Sequence, residues 1–184
     1  MGTARAVLTA VICALSGLIL AVPARAGPYE RGLELEKQGR LDGARAAFEE
    51  AVRADPANRA ARLRLVPVVI SGTSPEEAAP MLAREEAAGS PDAALLNERG
   101  RLSFVRGRYA EAAGSFSRAV SLDPAFLDAS FNHGVALQRL GKLDEARTAF
   151  RRVLDADPGF LRALNALAAV ETQSRRAEEA LALV

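Results

Sequence analysis

Few residues in this chain could do chemistry, and their spacing gives them little to work with. His133 is the single histidine and Cys13 the single cysteine. His133 precedes Gly134 in a stretch whose neighbours are structural, so it reads as a packing or surface residue rather than a catalytic base. A zinc site draws several ligands from Cys and His, and one of each cannot supply it. The stretch "GTSPEEAA" from Gly72 has a glycine and hydroxyls but no basic residue and no preceding strand. It reads as a turn and helix cap, not a phosphate loop. The pairs Glu49-Glu50, Glu76-Glu77, Glu85-Glu86 and Glu178-Glu179 are adjacent in sequence and so do not face each other on a helix. Arg151-Arg152 and Arg175-Arg176 are interleaved with acids and lack aromatic partners at regular intervals, unlike a face that stacks single-stranded nucleic acid. With 24 basic against 23 acidic residues, the chain has no charge excess with which to neutralise phosphates. These observations predict a non-enzyme with no catalytic residues, no metal, no cofactor and no nucleic-acid partner.

The segment "MGTARAVLTAVICALSGLILAVPARAGP" has a different grammar from the rest of the chain. Arg5 is followed by an apolar run from Ala6 to Val22, then Pro23 and the small-residue end Ala24-Arg25-Ala26. That pattern predicts a secretory signal peptide over residues 1–26, and hence export to a periplasmic or other extracytoplasmic setting. The alternative is an uncleaved inner-membrane anchor through residues 6–22. Cleavage would remove Cys13 and leave a mature chain without thiols, stabilised by packing alone. Val11-Ile12 lack the small residue that would make Cys13 a lipid-attachment site.

Beyond the leader the chain repeats itself. "GRLDGARAAFEEAVRADP" (Gly39 to Pro56), "GRYAEAAGSFSRAVSLDP" (Gly107 to Pro124) and "GKLDEARTAFRRVLDADP" (Gly141 to Pro158) align throughout. Pro124 and Pro158 stand 34 residues apart, and Pro56 and Pro124 twice that, so another unit must fill the gap. It runs over residues 59–92: Glu77-Ala78 is in register with Glu111-Ala112 and Glu145-Ala146, Leu82 stands where Phe48, Phe116 and Phe150 stand, and Ser90-Pro91 closes it. A further unit starts at Leu161, keeps Glu179-Ala180 in register and stops at Val184, partway through an expected second helix.

Each clear copy has one physical plan. A first helix carries a central glycine (Gly32, Gly100, Gly134), which costs roughly 1 kcal/mol against alanine and so predicts close approach of another helix. A second glycine (Gly39, Gly107, Gly141) sits where a left-handed cap ends that helix. The second helix starts with acids near its positive end and puts Ala44, Ala112 or Ala146 one turn before Phe48, Phe116 or Phe150 on the same face. Asp-Pro then ends it, because proline disfavours a helical residue before it.

Gly32/Gly39/Ala44/Phe48/Ala51/Pro56, Gly100/Gly107/Ala112/Phe116/Ala119/Pro124 and Gly134/Gly141/Ala146/Phe150/Pro158 resemble tetratricopeptide repeats. The family's early tryptophan is missing, Val153 replaces the alanine of Ala51 and Ala119, and Val66 replaces the close-contact glycine of the second unit. The resemblance implies an all-α fold, a right-handed superhelical solenoid of antiparallel helix hairpins in 34-residue repeats. It covers a domain at 27–184 with repeats near 27–58, 59–92 (degenerate), 93–126, 127–160 and 161–184 (incomplete). One hairpin cannot bury its own apolar face, and stacking hairpins makes a continuous core.

The resemblance also implies that the first helices line a concave groove for a peptide or partner helix. Carried over by register, its residues are Tyr29, Leu33, Asn97, Arg101, Phe131, Val135 and Gln138, flanked by Glu36, Leu63, Ile70, Phe104 and Asn165. Some family members grip a partner's C-terminal carboxylate. Here Asn132 and Arg162 match that clamp, while Asn97, Arg101 and Ala166 depart from it, so an internal, partly apolar segment is the expected ligand. The implied function is a non-catalytic scaffold or adaptor binding envelope proteins. The alternative is a membrane-tethered assembly subunit that self-associates, for instance as a homodimer, or docks through its incomplete C-terminal repeat. Pro67 and Pro80 both interrupt the second unit and predict lost backbone hydrogen bonds there, with a kink between the first unit and the last three as the functional alternative to drift.

Overall fold

The computed structural model of the chain describes residues 26–72, 75–89 and 92–181. The expected leader lies outside them apart from Ala26, as do Ser90-Pro91 at the end of the second repeat and the last three residues. The described elements are α1 (Pro28–Lys37), α2 (Leu41–Ala54), α3 (Arg59–Ser71), a 3-10 turn (Pro75–Glu77), α4 (Ala78–Ala88), α5 (Ala93–Val105), α6 (Tyr109–Leu122), α7 (Leu127–Arg139), α8 (Leu143–Ala156) and α9 (Leu161–Leu181). Among the described residues there is no strand, and the architecture is all-α, built of antiparallel hairpins. The chain divides into two compact units, one ending at Leu65 and the other beginning at Val66. The division falls inside α3, one residue before Pro67.

The turns inside the three clear hairpins share one geometry. Gly39, Gly107 and Gly141 have φ of 70°, 74° and 75°, the left-handed conformation that costs an L-residue with a Cβ about 1–2 kcal/mol. Around them the N–H of Arg40, Arg108 and Lys142 donates to the carbonyl of Leu35, Ser103 and Leu137 at 2.9, 2.9 and 3.0 Å. These bonds satisfy carbonyls that the ending helix would otherwise leave unpaired.

The turns between hairpins are equally uniform. Asp55, Asp123 and Asp157 are extended, with φ of −139°, −136° and −139°, because each is the residue before a proline and is crowded out of the helical region. Each carboxylate accepts from the N–H two residues on, that of Ala57 (2.9 Å), Ala125 (3.0 Å) or Gly159 (2.9 Å). The aspartate thus closes an Asx turn that restarts the chain as the next first helix.

Packing obeys the repeat. Ala44, Phe48, Ala112, Ala146, Phe150 and Val153 are fully inaccessible and Phe116 nearly so. In the unit beginning at Val66, Leu137, Ala146, Phe150, Val153, Ala163 and Val170 form one buried cluster, and Ala112, Ala113, Phe116 and Ala136 another. The degenerate repeat differs at both of these positions. Val66, larger than the usual glycine, and Leu82, smaller than the usual phenylalanine, are both buried.

Two sequence expectations change. Among the described residues the fifth unit has no second helix, because α9 continues without a turn from Leu161 to Leu181. Arg175 stands where Gly39, Gly107 and Gly141 stand in their repeats, and without a residue suited to the left-handed conformation the helix has no local signal to stop. Pro67 does lie inside α3, but Pro80 is the third residue of α4. The N–H groups of a helix's first turn have no intrahelical acceptor, so proline there forfeits nothing.

Candidate functional site

The site is built from first helices in register. Ile70 and Ser71 end α3, Phe104 and Val105 end α5 at positions 34 residues later, and Arg101 of α5 corresponds in the same way to Val135 of α7. Together with Asn132 and the buried ring of Phe116 they line one open recess of about 170 Å³. Apolar side chains make up most of its wall, and among the described residues Arg101 is its one charged lining residue. Val105, 53% exposed, stands on the rim.

A chain of polar contacts runs through this wall. Asn132 Nδ2 donates to Asn97 Oδ1 at 2.9 Å, and Asn97 Nδ2 donates to Glu98 Oε1 at 3.0 Å. Arg101 Nη1 donates to Glu98 Oε2 at 2.8 Å, and Arg101 Nη2 donates to Ser71 Oγ at 3.0 Å. The chain therefore ties α3, α5 and α7 together, with both Asn132 and Arg101 in the recess wall. Asn97 is only 4% exposed. Burial of an amide is tolerated because it both donates and accepts.

The residues expected in a single groove do not all meet. Arg101, Val135, Ile70 and Phe104 line the recess. Asn97, expected as a ligand contact, is instead a buried support for Asn132. Phe131 does not line the recess. Its ring packs on Phe150 and Phe160 at centroid distances of 5.7 and 5.6 Å, and the guanidinium of Arg162 sits 5.0 Å over it. Arg162 is thereby engaged, by these rings and by an ion pair with Asp128. Gln138 bonds across to Gln173 of α9 at 3.4 Å, and Asn165 is exposed on α9. Tyr29 and Leu33 belong to the unit ending at Leu65, where Tyr29 packs on Phe48 with centroids 6.0 Å apart. There too Glu36 faces Arg64 at 3.7 Å, and Leu63 is half-buried.

Ser71, Val105 and Glu98 were not singled out from sequence. The first two had a usable signal, since they occupy equivalent positions of consecutive repeats. Glu98 had none, because its role depends on which neighbours its carboxylate meets.

A second recess, of about 290 Å³, lies among α6, α7 and α8 and is lined by Val120, Ser130, His133, Leu137, Glu145, Thr148, Ala149 and Arg152. Burial pushes the His133 imidazole below its ordinary value of 6.5, opposed by Glu145 and reinforced by Lys142. Glu145 itself is paired with Lys142 at 3.0 Å. The histidine is part-buried in the lining of this recess. Among the described residues no group of His, Cys, Asp and Glu could hold a metal ion, and no helix is long and apolar enough to cross a membrane.

Hairpins of this geometry, with register-equivalent residues gathered on one face, define a helical-repeat protein. Two family models described as tetratricopeptide repeat match it, one over residues 106–168 and the other over 29–66 and 72–125. The chain belongs to the tetratricopeptide repeat family, whose fold serves protein interaction. Among solved structures it is similar to MamA, at 24% identity and TM-score 0.61, over 82% of this chain and 88% of that one. A MamA structure from AMB-1 gives 24% identity and TM-score 0.63 over 85% and 92%. YrrB, described as a TPR protein with an unusual peptide-binding site, is 25% identical with TM-score 0.57 over 84% of this chain and 79% of that one. No curated protein matches the chain.

Proposed function

We propose that this protein is an exported, non-catalytic scaffold that binds a partly apolar peptide segment of another envelope protein in the recess formed by Ile70, Ser71, Arg101, Phe104, Asn132 and Val135. The observation that carries the reading is the polar chain from Asn132 to Ser71. It fixes the wall before any ligand arrives, so binding need not include the cost of ordering it. Apolar side chains supply the buried area, and Asn132 orients the segment. The peptide-binding site attributed to YrrB supports the same use of this fold. The leader pattern of residues 1–26 supports the envelope setting.

The test uses Val105→Asp, which places a charge on the exposed rim without disturbing the core. Tagged wild-type protein and the variant are cross-linked in intact native cells, and the partners of each identified. A partner held by the wild type and lost from the variant, with helicity unchanged, bears out the recess. Partners held equally by both would rule it out. Recovery of a mature chain lacking residues 1–26 from the periplasm tests export.

A second reading has its own observation. Leu161 and Leu164 of α9 are 70% and 44% exposed, a face open to self-association. Sedimentation of the wild type beside Leu161→Gln/Leu164→Gln tests it, and a monomer in both would remove it.

A further inference from the structure

Resting on the reading of the recess as the peptide site, we infer that Glu98 is its specificity-determining residue. It occupies the guanidinium of Arg101 and so makes the recess select a neutral aliphatic side chain over a carboxylate. Among the described residues Arg101 is the one charged residue lining the recess, and an unengaged arginine there would favour an acidic ligand through charge-assisted, bidentate hydrogen bonds. Glu98 prevents that. Its Oε2 takes Arg101 Nη1 at 2.8 Å, and its side chain is only 13% exposed against 30% for the arginine. The carboxylate thus sits behind the guanidinium, not beside it in open solvent.

The surroundings hold this arrangement in place. Asn97, buried and itself bonded to Asn132, donates to the other carboxylate oxygen at 3.0 Å. Ser71 Oγ accepts from Arg101 Nη2 at 3.0 Å and turns the remaining edge of the guanidinium toward α3. An incoming carboxylate would have to displace the ion pair or approach Glu98 as a like charge in a poorly solvated wall. A leucine-sized side chain meets no such penalty and covers Ile70, Phe104 and Val135. Three first helices contribute to the selection, although the residue that exerts it touches no ligand.

The experiment compares two probes with the same side chain, N-acetyl-leucinamide and N-acetyl-leucine. The second is ionised at pH 7, since an α-carboxyl titrates near 3.3–3.7. Binding is followed by amide chemical-shift changes at Ser71, Arg101, Asn132 and Val135 in the wild type, in Glu98→Gln and in Glu98→Gln/Arg101→Gln. The wild type should bind the amide about tenfold more tightly than the acid. Glu98→Gln should gain at least that factor for the acid, and the double variant should lose the gain. The wild-type comparison stands alone if Glu98→Gln does not fold. A wild type that binds the acid as well as the amide, or a folded Glu98→Gln with no gain, overturns the role of Glu98 and leaves the recess as a peptide site. Absence of shifts with both probes in every folded variant overturns the recess itself, and the role of Glu98 with it.

Discussion

The ring of Phe116 fills the space that a side chain at Gly100 would need: a Cβ built there would lie 2.5 Å from Phe116 Cε1. The same relation joins Gly32 to Phe48 at 2.5 Å and Gly134 to Phe150 at 2.6 Å. In each of these three hairpins one glycine and one aromatic therefore set how closely the two helices approach.

Gly100→Ala should destabilise the protein. Alanine is a better helix former by about 1 kcal/mol, but overpacking a filled core costs typically 1–3 kcal/mol, and the obstacle is a buried ring, not the mobile end of a chain. Gly114→Ala is the control. It lies within α6 with nothing inside 4 Å of its Cβ, so it should stabilise by up to about 1 kcal/mol. Urea unfolding of both separates the cases, and a stabilising Gly100→Ala would refute the contact.

Gly141→Ala isolates backbone strain from crowding. No atom lies within 4 Å of its Cβ, and its φ is +75°, so the expected loss of about 1–2 kcal/mol comes from the left-handed conformation alone. Gly141→Asn should lose less, since asparagine tolerates that region. Equal stability of all three forms would mean that the turn is not held there.

Phe150→Ala should cost roughly 3–5 kcal/mol, the usual range for a buried aromatic truncation. The ring is fully inaccessible and belongs to the cluster of Leu137, Val153, Ala163 and Val170. A loss below about 1 kcal/mol by denaturant titration would show that the neighbouring helices close over the void.

Pro67→Ala should raise the melting temperature and Pro80→Ala should not. Proline inside α3 removes a helical hydrogen bond and collides with the preceding turn, an effect of up to about 3 kcal/mol. In the first turn of α4 it is tolerated, and its replacement frees the unfolded chain. Calorimetry of the two variants decides the matter, with a rise for Pro80→Ala as the contrary result.

Acidification should expose His133. Its folded pKa lies below the ordinary 6.5 because burial disfavours the charged ring. Above 6.5 the imidazole is neutral in both states and contributes no pH dependence. As pH falls below 6.5 the unfolded chain takes up a proton that the folded chain resists, so stability declines until the folded pKa is passed. His133→Gln should flatten the fall in stability that sets in below about pH 6.5. An unchanged slope would assign the decline to other groups. Glu76 and Glu171, held low by Arg106 and Arg147, lose their contribution only when pH falls below the ordinary carboxylate value.

The sequence by itself determined the hairpins, because the forces that shape them act within a few residues. A glycine at the left-handed cap, aspartate before proline, and glycine and phenylalanine on facing helices are local codes, and their recurrence every 34 residues announced stacking. Only the tertiary structure decided which polar and aromatic groups meet across repeats. Register put Asn97, Arg101 and Phe131 on one expected surface, yet Asn97 is buried beneath Asn132, Glu98 engages Arg101, and Phe131 turns to Phe150 and Phe160. An equivalent position fixes where a Cα sits on its helix. The rotamer, the burial and the partner come from neighbours far away in the chain, and those neighbours differ from one repeat to the next.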